Sequence, residues 1–394
     1  MLDIPLSHRA QSIKPSPTLA VTARAAELRT EGKDIIGLGT GEPDFDTPQH
    51  IKEAAIEALK KGQTKYTAVD GTAELKSAII NKFKRENDLT YNNNQILVSC
   101  GAKHSIYNLL QATLNSGDEI IIPAPYWVSY PDMAKLAGAE PVILKTMIED
   151  NFKITPDKLR YAISNKTKMV VFNSPSNPTG VSYSKNELAA LGEVLLEHDE
   201  MIIVTDDIYE HILWGQDKFF NIVNACPGLY DRTVVVNGVS KAYSMTGWRI
   251  GYVGGPESII KGMKKIQSQS TSNASSIAQA AAVAALDGDQ TYIKVSTRIF
   301  KERHDFVLKS LQEIDGIECL PSEGTFYSFP DMNGLIEKLE GISNDIELAE
   351  FFLEEARVAM VPGSAFGASG CMRISFATSM ENLEKSMERI KAAL

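Results

Sequence analysis

The chain has 394 residues, 43% of them apolar, and carries 40 lysines and arginines against 50 aspartates and glutamates, a net charge of −10. Its length corresponds to about two or three domains with real hydrophobic cores, and an acidic chain without a clustered basic run is a poor partner for nucleic acid or an anionic membrane. The opening "MLDIPLSHRAQSIKPSP" has no apolar stretch behind a basic start, and runs such as "IIIPAP" fall far short of a membrane span, so a soluble protein without an export signal is expected.

In chain order, a helical pattern near 17–31 comes first, followed by "GLGTG" at 37–41. This glycine cluster lacks G-x-G-x-x-G spacing and leads into "EPDFDTP", not into a helix, so it is no dinucleotide fingerprint; no G-x-x-x-x-G-K-[ST] occurs anywhere. Short apolar runs then alternate with helical patterns: "QILVSC" before 102–115, "EIIIPA" before 127–138, "EPVILK" before 155–164, "KMVVFNS" before 184–198, then "MIIVTDD", "RTVVVNG" and "WRIGYVGG". Such alternation predicts βαβ units and a mostly parallel, buried sheet. After about residue 285 the order becomes α+β: a charged helix over roughly 289–314, "GTFYSFP", "DIELAEFFLEEA", "VAMVPG", "MRISFA" and a terminal helix. The expected division is a large α/β domain at 48–285 and a small domain made of 1–47 with 286–394. No repeat, low-complexity segment or long linker interrupts it.

Ligands of open α/β sheets bind at the carboxyl ends of the strands, so the polar residues after each apolar run are the candidates. Gly101-Ala102-Lys103 opens a helix whose free backbone N–H groups suit a phosphate. "NSPSNPTG" at 173–180 fixes a turn and places Asn177, an amide donor, between two prolines. Asp206-Asp207-Ile208-Tyr209 follows "MIIVT"; the adjacent acids invite a metal, but His211 is the one histidine nearby, and the metal reading is set aside. Cys100, Cys226, Cys319 and Cys371 are scattered without C-x-x-C spacing, which indicates neither zinc nor disulfides and makes a reducing cytoplasm the natural compartment. Lys241 follows "VVVNGVS" among small and apolar neighbours. Desolvation there would lower its pKa and free a lone pair for attack on an aldehyde, with Ser240 and Arg249 placed to hold a phosphate on the same molecule.

Taken together, "GVSKAYSMTGWRIG", "NPTG", "DDIY", "GEPDFDTP", "PYWVSY" and "MRISFATS" resemble, in order and over essentially the whole chain, the class I aminotransferases that use pyridoxal 5'-phosphate, and most closely the bacterial aspartate aminotransferase branch that includes aspartate/prephenate enzymes. The resemblance implies a fold type I transferase: a large domain with a mostly parallel sheet plus a smaller α+β domain. It implies that Lys241 bonds the cofactor, Asp206 pairs with its ring nitrogen, Tyr209 and Asn177 hydrogen-bond its phenolic oxygen, and Trp127 stacks on the ring. Ser240, Arg249 and the backbone of Gly101, Ala102 and Lys103 would hold the phosphate. Tyr66 would reach the phosphate of a neighbouring subunit, giving a homodimer with shared active sites.

On the substrate side the same resemblance implies that Arg373 and Gly41 take the α-carboxylate, beside Asn177 and Trp127, and that Lys103 takes the distal one. Lys14, with Thr18 nearby, matches a position associated with prephenate acceptance. The implied activity is ping-pong transfer of the amino group of L-aspartate to 2-oxoglutarate, with prephenate as an alternative acceptor. A carbon–sulfur lyase on the same scaffold is a competing expectation, and a cofactor-binding regulator or a nicotinamide-dependent oxidoreductase a weaker one.

Overall fold

The computed structural model describes residues 5–394 except Lys14, Ser16, Gln216 and Asp217. Helix α1 (Pro17–Thr30) leads to α2 (Gln49–Lys60) and α3 (Ala73–Asn87), the last capped by Thr72, whose hydroxyl accepts from the Leu75 amide. The alternating region follows as β1 (Ile96–Ser99), α4 (Ala102–Thr113), β2 (Glu119–Ala124), α5 (Ser129–Leu136), β3 (Glu140–Lys145), α6 (Pro156–Ala162), β4 (Thr167–Asn173), α7 (Lys185–Leu196), β5 (Ile202–Asp206), β6 (Thr233–Gly238) and β7 (Gly251–Gly254). Ser184 and Glu187 close a capping box at the start of α7.

The seven strands form one sheet in the order β1-β7-β6-β5-β4-β2-β3. All run parallel except β7, which pairs antiparallel with both β1 and β6. Val and Ile dominate these strands because both faces are covered. Successive residues alternate between two cores: Val98, Ile121, Val170, Phe172, Ile203 and Val235 face one, while Leu97, Ile120, Ile122, Val171, Val204 and Val234 face the other.

Beyond the sheet come α8 (Glu257–Ser268), α9 (Ser276–Asp287), the long α10 (Thr291–Gln312), β8 (Tyr327–Ser328), α11 (Asp345–Phe351), β9 (Val361–Pro362), β10 (Met372–Ser375) and α12 (Met380–Ala393). An antiparallel sheet of order β9-β10-β8 packs with α10 and α12 around a third core that contains Phe300, Val307, Phe326, Phe352, Ile374 and Ile390. Ile36 and Leu38 join that core from the N-terminal side, and Ile36–Gly37 pairs with 358–359. Ile208, Tyr209 and Ile212 also reach it, so the turn after β5 is shared between the sheet and the C-terminal elements. Among the described residues, no helix is long and apolar enough to cross a membrane.

Candidate active site

A cavity of about 420 Å³ opens at the carboxyl ends of the parallel strands. It is lined by Ala102 and Lys103 from the start of α4, Trp127 from the turn after β2, Asn173 from the end of β4 and Asn177 from the turn after it, and Asp206 and Tyr209 from β5 and its turn. Ser240, Lys241 and Arg249 come from the segment between β6 and β7, Gly41 from the N-terminal loop, and Arg373 from β10.

Lys241 is enclosed, and its Nζ donates to the Gly41 carbonyl at 2.6 Å. Burial, with the nearby Arg373 charge, lowers its pKa to about 8. A larger fraction of its amine is therefore neutral near neutrality than for a solvated lysine, and the neutral form that attack on an aldehyde requires predominates above about pH 8. Asp206 is buried, and burial raises its pKa to about 6 against the opposing hydrogen bond from Tyr130. The Tyr130 hydroxyl donates to its Oδ2 at 2.6 Å, and among the described residues no lysine or arginine forms an ion pair with it. A buried carboxylate that lacks a basic partner favours a protonated ring nitrogen as its counterion. Tyr209 is buried, its hydroxyl 3.0 Å from that of Tyr327.

Arg373 is fully enclosed between the rings of Tyr327 and Phe366, 4.5 and 4.9 Å from its guanidinium carbon. Nη1 donates to Asn177 Oδ1 at 2.9 Å and Nη2 to the Gly39 carbonyl at 2.7 Å, while Nε has no partner. A buried guanidinium with only neutral acceptors is built for a carboxylate from outside the chain. Lys103 is exposed at the cavity wall; its Nζ lies 4.9 Å from the centroid of the Trp127 ring, and partial desolvation followed by the Arg249 charge lowers its pKa. It too forms no ion pair among the described residues.

The candidate phosphate cradle is set by close backbone approach. Gly101, at φ +90°, caps α4 without a side chain, and a Cβ there would meet Arg249 Nη2 at 2.1 Å. Arg249 itself sits at φ 57° and donates from Nη1 to the Thr246 carbonyl at 2.8 Å and from Nη2 to the Cys100 carbonyl at 3.2 Å. The first N–H groups of a helix have no intrahelical acceptor, so α4 aims free donors at the place that Ser240 and Arg249 border.

The fold thus brings together Lys241, Asp206, Tyr209, Asn177, Trp127, Ser240, Arg249, Ala102, Lys103, Arg373 and Gly41, with Gly101 adjoining. Tyr66 stands apart, 91% exposed on the outside of the chain. Lys14 lies outside the described residues, and Thr18 lines the cavity. Three further side chains are in place that the sequence reading did not single out: Tyr130 on Asp206, Tyr327 on Tyr209, and Asn173, whose Oδ1 accepts from the Asn177 amide at 2.8 Å and whose Nδ2 donates to the Asp206 carbonyl at 2.9 Å. Tyr130 follows Trp127 by three residues within "PYWVSY", a spacing of about one helical turn that could have flagged it.

A desolvated lysine, a buried acid awaiting a cationic ring nitrogen and a phosphate cradle at a helix start define a pyridoxal-phosphate-dependent enzyme, and the donor set fits that cofactor at each of its polar ends. A family model for class I and II aminotransferases matches residues 33–390. The chain belongs to that family. It is 59% identical over 394 residues to an aspartate/prephenate aminotransferase of Nitrosomonas europaea, covering 99% of each chain, and 49% identical over 386 residues to an aspartate aminotransferase of Bacillus subtilis, covering 98% of each. Among solved structures, an aspartate aminotransferase of Rhizobium meliloti superposes with a TM-score of 0.96 at 48% identity, covering 99% of this chain and 98% of that one. An aspartate aminotransferase of Thermus thermophilus solved with maleate gives 0.92 at 43%, covering 99% and 100%.

Proposed function

We propose that this protein is an aspartate aminotransferase that moves the amino group of L-aspartate to 2-oxoglutarate in two half-reactions. The carrying observation is that the cavity presents, besides Lys241 and the Arg249 of the phosphate cradle, two further cations without carboxylate partners among the described residues, Arg373 and Lys103. A dicarboxylic substrate satisfies both, whereas a monocarboxylic one leaves Lys103 unpaired. Maleate, in the Thermus thermophilus structure, is such a dicarboxylate.

Each residue then has a physical task. Arg373 orients the α-carboxylate through Nε and its two Nη groups, beside Gly41. Lys103 Nζ holds the distal carboxylate against the face of Trp127. When bound, pyridoxal phosphate supplies an aldehyde that bonds to amines and a ring that draws electrons from the carbon losing its proton. Asp206 holds the proton on the ring nitrogen. Tyr209 and the Nδ2 of Asn177, whose Oδ1 is engaged by Arg373, donate to the phenolic oxygen. Lys241 Nζ takes the Cα proton and returns it as an acid, a task its lowered pKa suits.

Prephenate is a second acceptor supported by the names of the relatives, and it has the same demand for two cations because it carries two carboxylates. In this reading Thr18, which lines the cavity, borders the substrate, while the assignment of Lys14 rests on the sequence resemblance alone. The reading also includes a cytoplasmic homodimer in which Tyr66 serves the site of a second copy, and a division into a large domain at 48–285 and a small one of 1–47 with 286–394. Exposure of Tyr66 and the separate core around α10 and β10 support it; a solution mass of one chain by light scattering would refute the dimer.

Replacing Lys103 by glutamine tests the substrate class. It should raise KM for aspartate and 2-oxoglutarate by a factor corresponding to about 1.5–3 kcal/mol, roughly 10- to 150-fold, while alanine and pyruvate change little. Equal losses for both substrate classes would place distal recognition elsewhere.

A further inference from the structure

Behind the active cavity lies a second polar cluster that the transamination mechanism does not use. Lys82 of α3 is fully buried and does not line the cavity. Its ammonium donates to the carboxylate of Glu210 and to Asn87 Oδ1 at 2.6 Å, and lies 3.6 Å from Glu86 Oε2. Glu210 directly follows Tyr209. Its Oε1 also accepts from Asn237 Nδ2 at 2.6 Å, and its Oε2 from Asn87 Nδ2 at 2.6 Å.

Asn237 belongs to β6, four residues before Lys241, and its own Oδ1 accepts from the Gly238 amide at 2.7 Å. One buried carboxylate therefore joins the turn that carries Tyr209, the strand that leads to Lys241 and the end of α3. We infer that Lys82 and Glu210 form a positioning device that fixes Tyr209 relative to Lys241 from behind the pocket. The inference rests on the roles given to Tyr209 and Lys241 above.

Three observations favour this over a merely stabilising pair. First, a buried ion pair contributes little net stability compared with apolar residues of similar volume, so its use here is geometric. Second, the turn is gripped on its other side as well: His211 Nε2 lies 2.8 Å from Glu86 Oε2, and Thr297 of α10 donates to the His211 carbonyl at 3.1 Å. Asp207 within the turn accepts from Thr205 Oγ1 at 2.5 Å and from Asn221 Nδ2 at 2.9 Å. Third, the ligand atoms of Glu86, Glu210 and His211 lie within 4.8 Å of one another, a spacing that could hold a metal, but the Lys82 ammonium already stands between these two carboxylates and offsets part of their charge. The charged and titratable groups facing the pair are Glu86, Asp207 and His211, with Tyr243 and Tyr252 packed beyond them.

The test is a pH titration of the cofactor's visible absorbance in the loaded protein without substrate, for the native chain, Lys82→Met, Asn237→Ala and Tyr209→Phe. Tyr209 donates to the phenolic oxygen and so favours its anion; loss of that donation should raise the titration midpoint by roughly one to two pH units. Tyr209→Phe sets the full effect, and Lys82→Met and Asn237→Ala should move towards it. Should Lys82→Met fail to fold, Asn237→Ala, which leaves the ion pair in place, carries the test alone. Midpoints at the native value in folded, loaded variants would overturn the inference, whatever happens to their Tm. A native protein with no visible cofactor band would instead overturn the cofactor roles on which it rests.

Discussion

Lys241 shows how far one side chain's chemistry is set by its surroundings. Its amine is enclosed and held on the Gly41 carbonyl, and its pKa of about 8 lies well below that of a solvated lysine. In protein freed of cofactor, the neutral amine is the form that bonds the aldehyde, so reloading with pyridoxal phosphate should accelerate as pH rises and level off above a midpoint near 8. A loading rate that stays flat from pH 6.5 to 9 would contradict this account of Lys241. The candidacy of this residue was legible because its neighbours in sequence are small and apolar. Asp206 was legible for a related reason, as a charge at the end of an apolar strand. Tyr327 and Tyr130 were not, because their function is a contact with another side chain, and an aromatic residue in an apolar run reads as core.

At the scale of elements, the proposed phosphate site depends on how β7 meets α4. Gly251 opens β7, and a Cβ there would stand 2.1 Å from the Ala102 nitrogen and 2.4 Å from the Gly101 carbonyl carbon. Gly251→Ala should therefore push the helix start away from the cradle. Overpacking of this kind costs about 1–3 kcal/mol, and the expected result is faster cofactor dissociation with unchanged helix content by circular dichroism. Dissociation at the native rate would mean that the α4 terminus does not bear the phosphate.

The strands and helices of the sheet were legible in sequence because a doubly covered parallel sheet writes itself as separate apolar runs. The expected helix over 127–138 is Ser129–Leu136, which leaves Trp127 in the preceding turn, free to face the cavity. The direction of β7 was not legible, since an antiparallel strand buried on both faces has the same composition as a parallel one. The single helix expected from "DIELAEFFLEEA" is also modified: α11 ends at Phe351 and continues as a π-helical turn over Phe352–Ala356, closed by Arg357 in the left-handed region. The apolar spacing of that stretch fits either winding.

At the scale of the whole molecule, the substrate cavity is assembled from distant parts: Gly41 before the sheet, Lys103, Trp127 and Lys241 within it, and Arg373 on β10. Sequence motifs name these residues one at a time, and only the fold shows Arg373 and Lys103, both without an ion pair among the described residues, in one cavity with Lys241 and Arg249. The most direct measurement is the near-ultraviolet and visible absorbance of the purified, cofactor-loaded protein, taken before and after L-aspartate alone and again after 2-oxoglutarate. The account predicts that aspartate converts the cofactor to its amine form, with loss of the visible band, and that 2-oxoglutarate restores it; restoration by prephenate as well would establish the second acceptor. A visible band that aspartate leaves unchanged would contradict the dicarboxylate assignment while leaving the cofactor site intact.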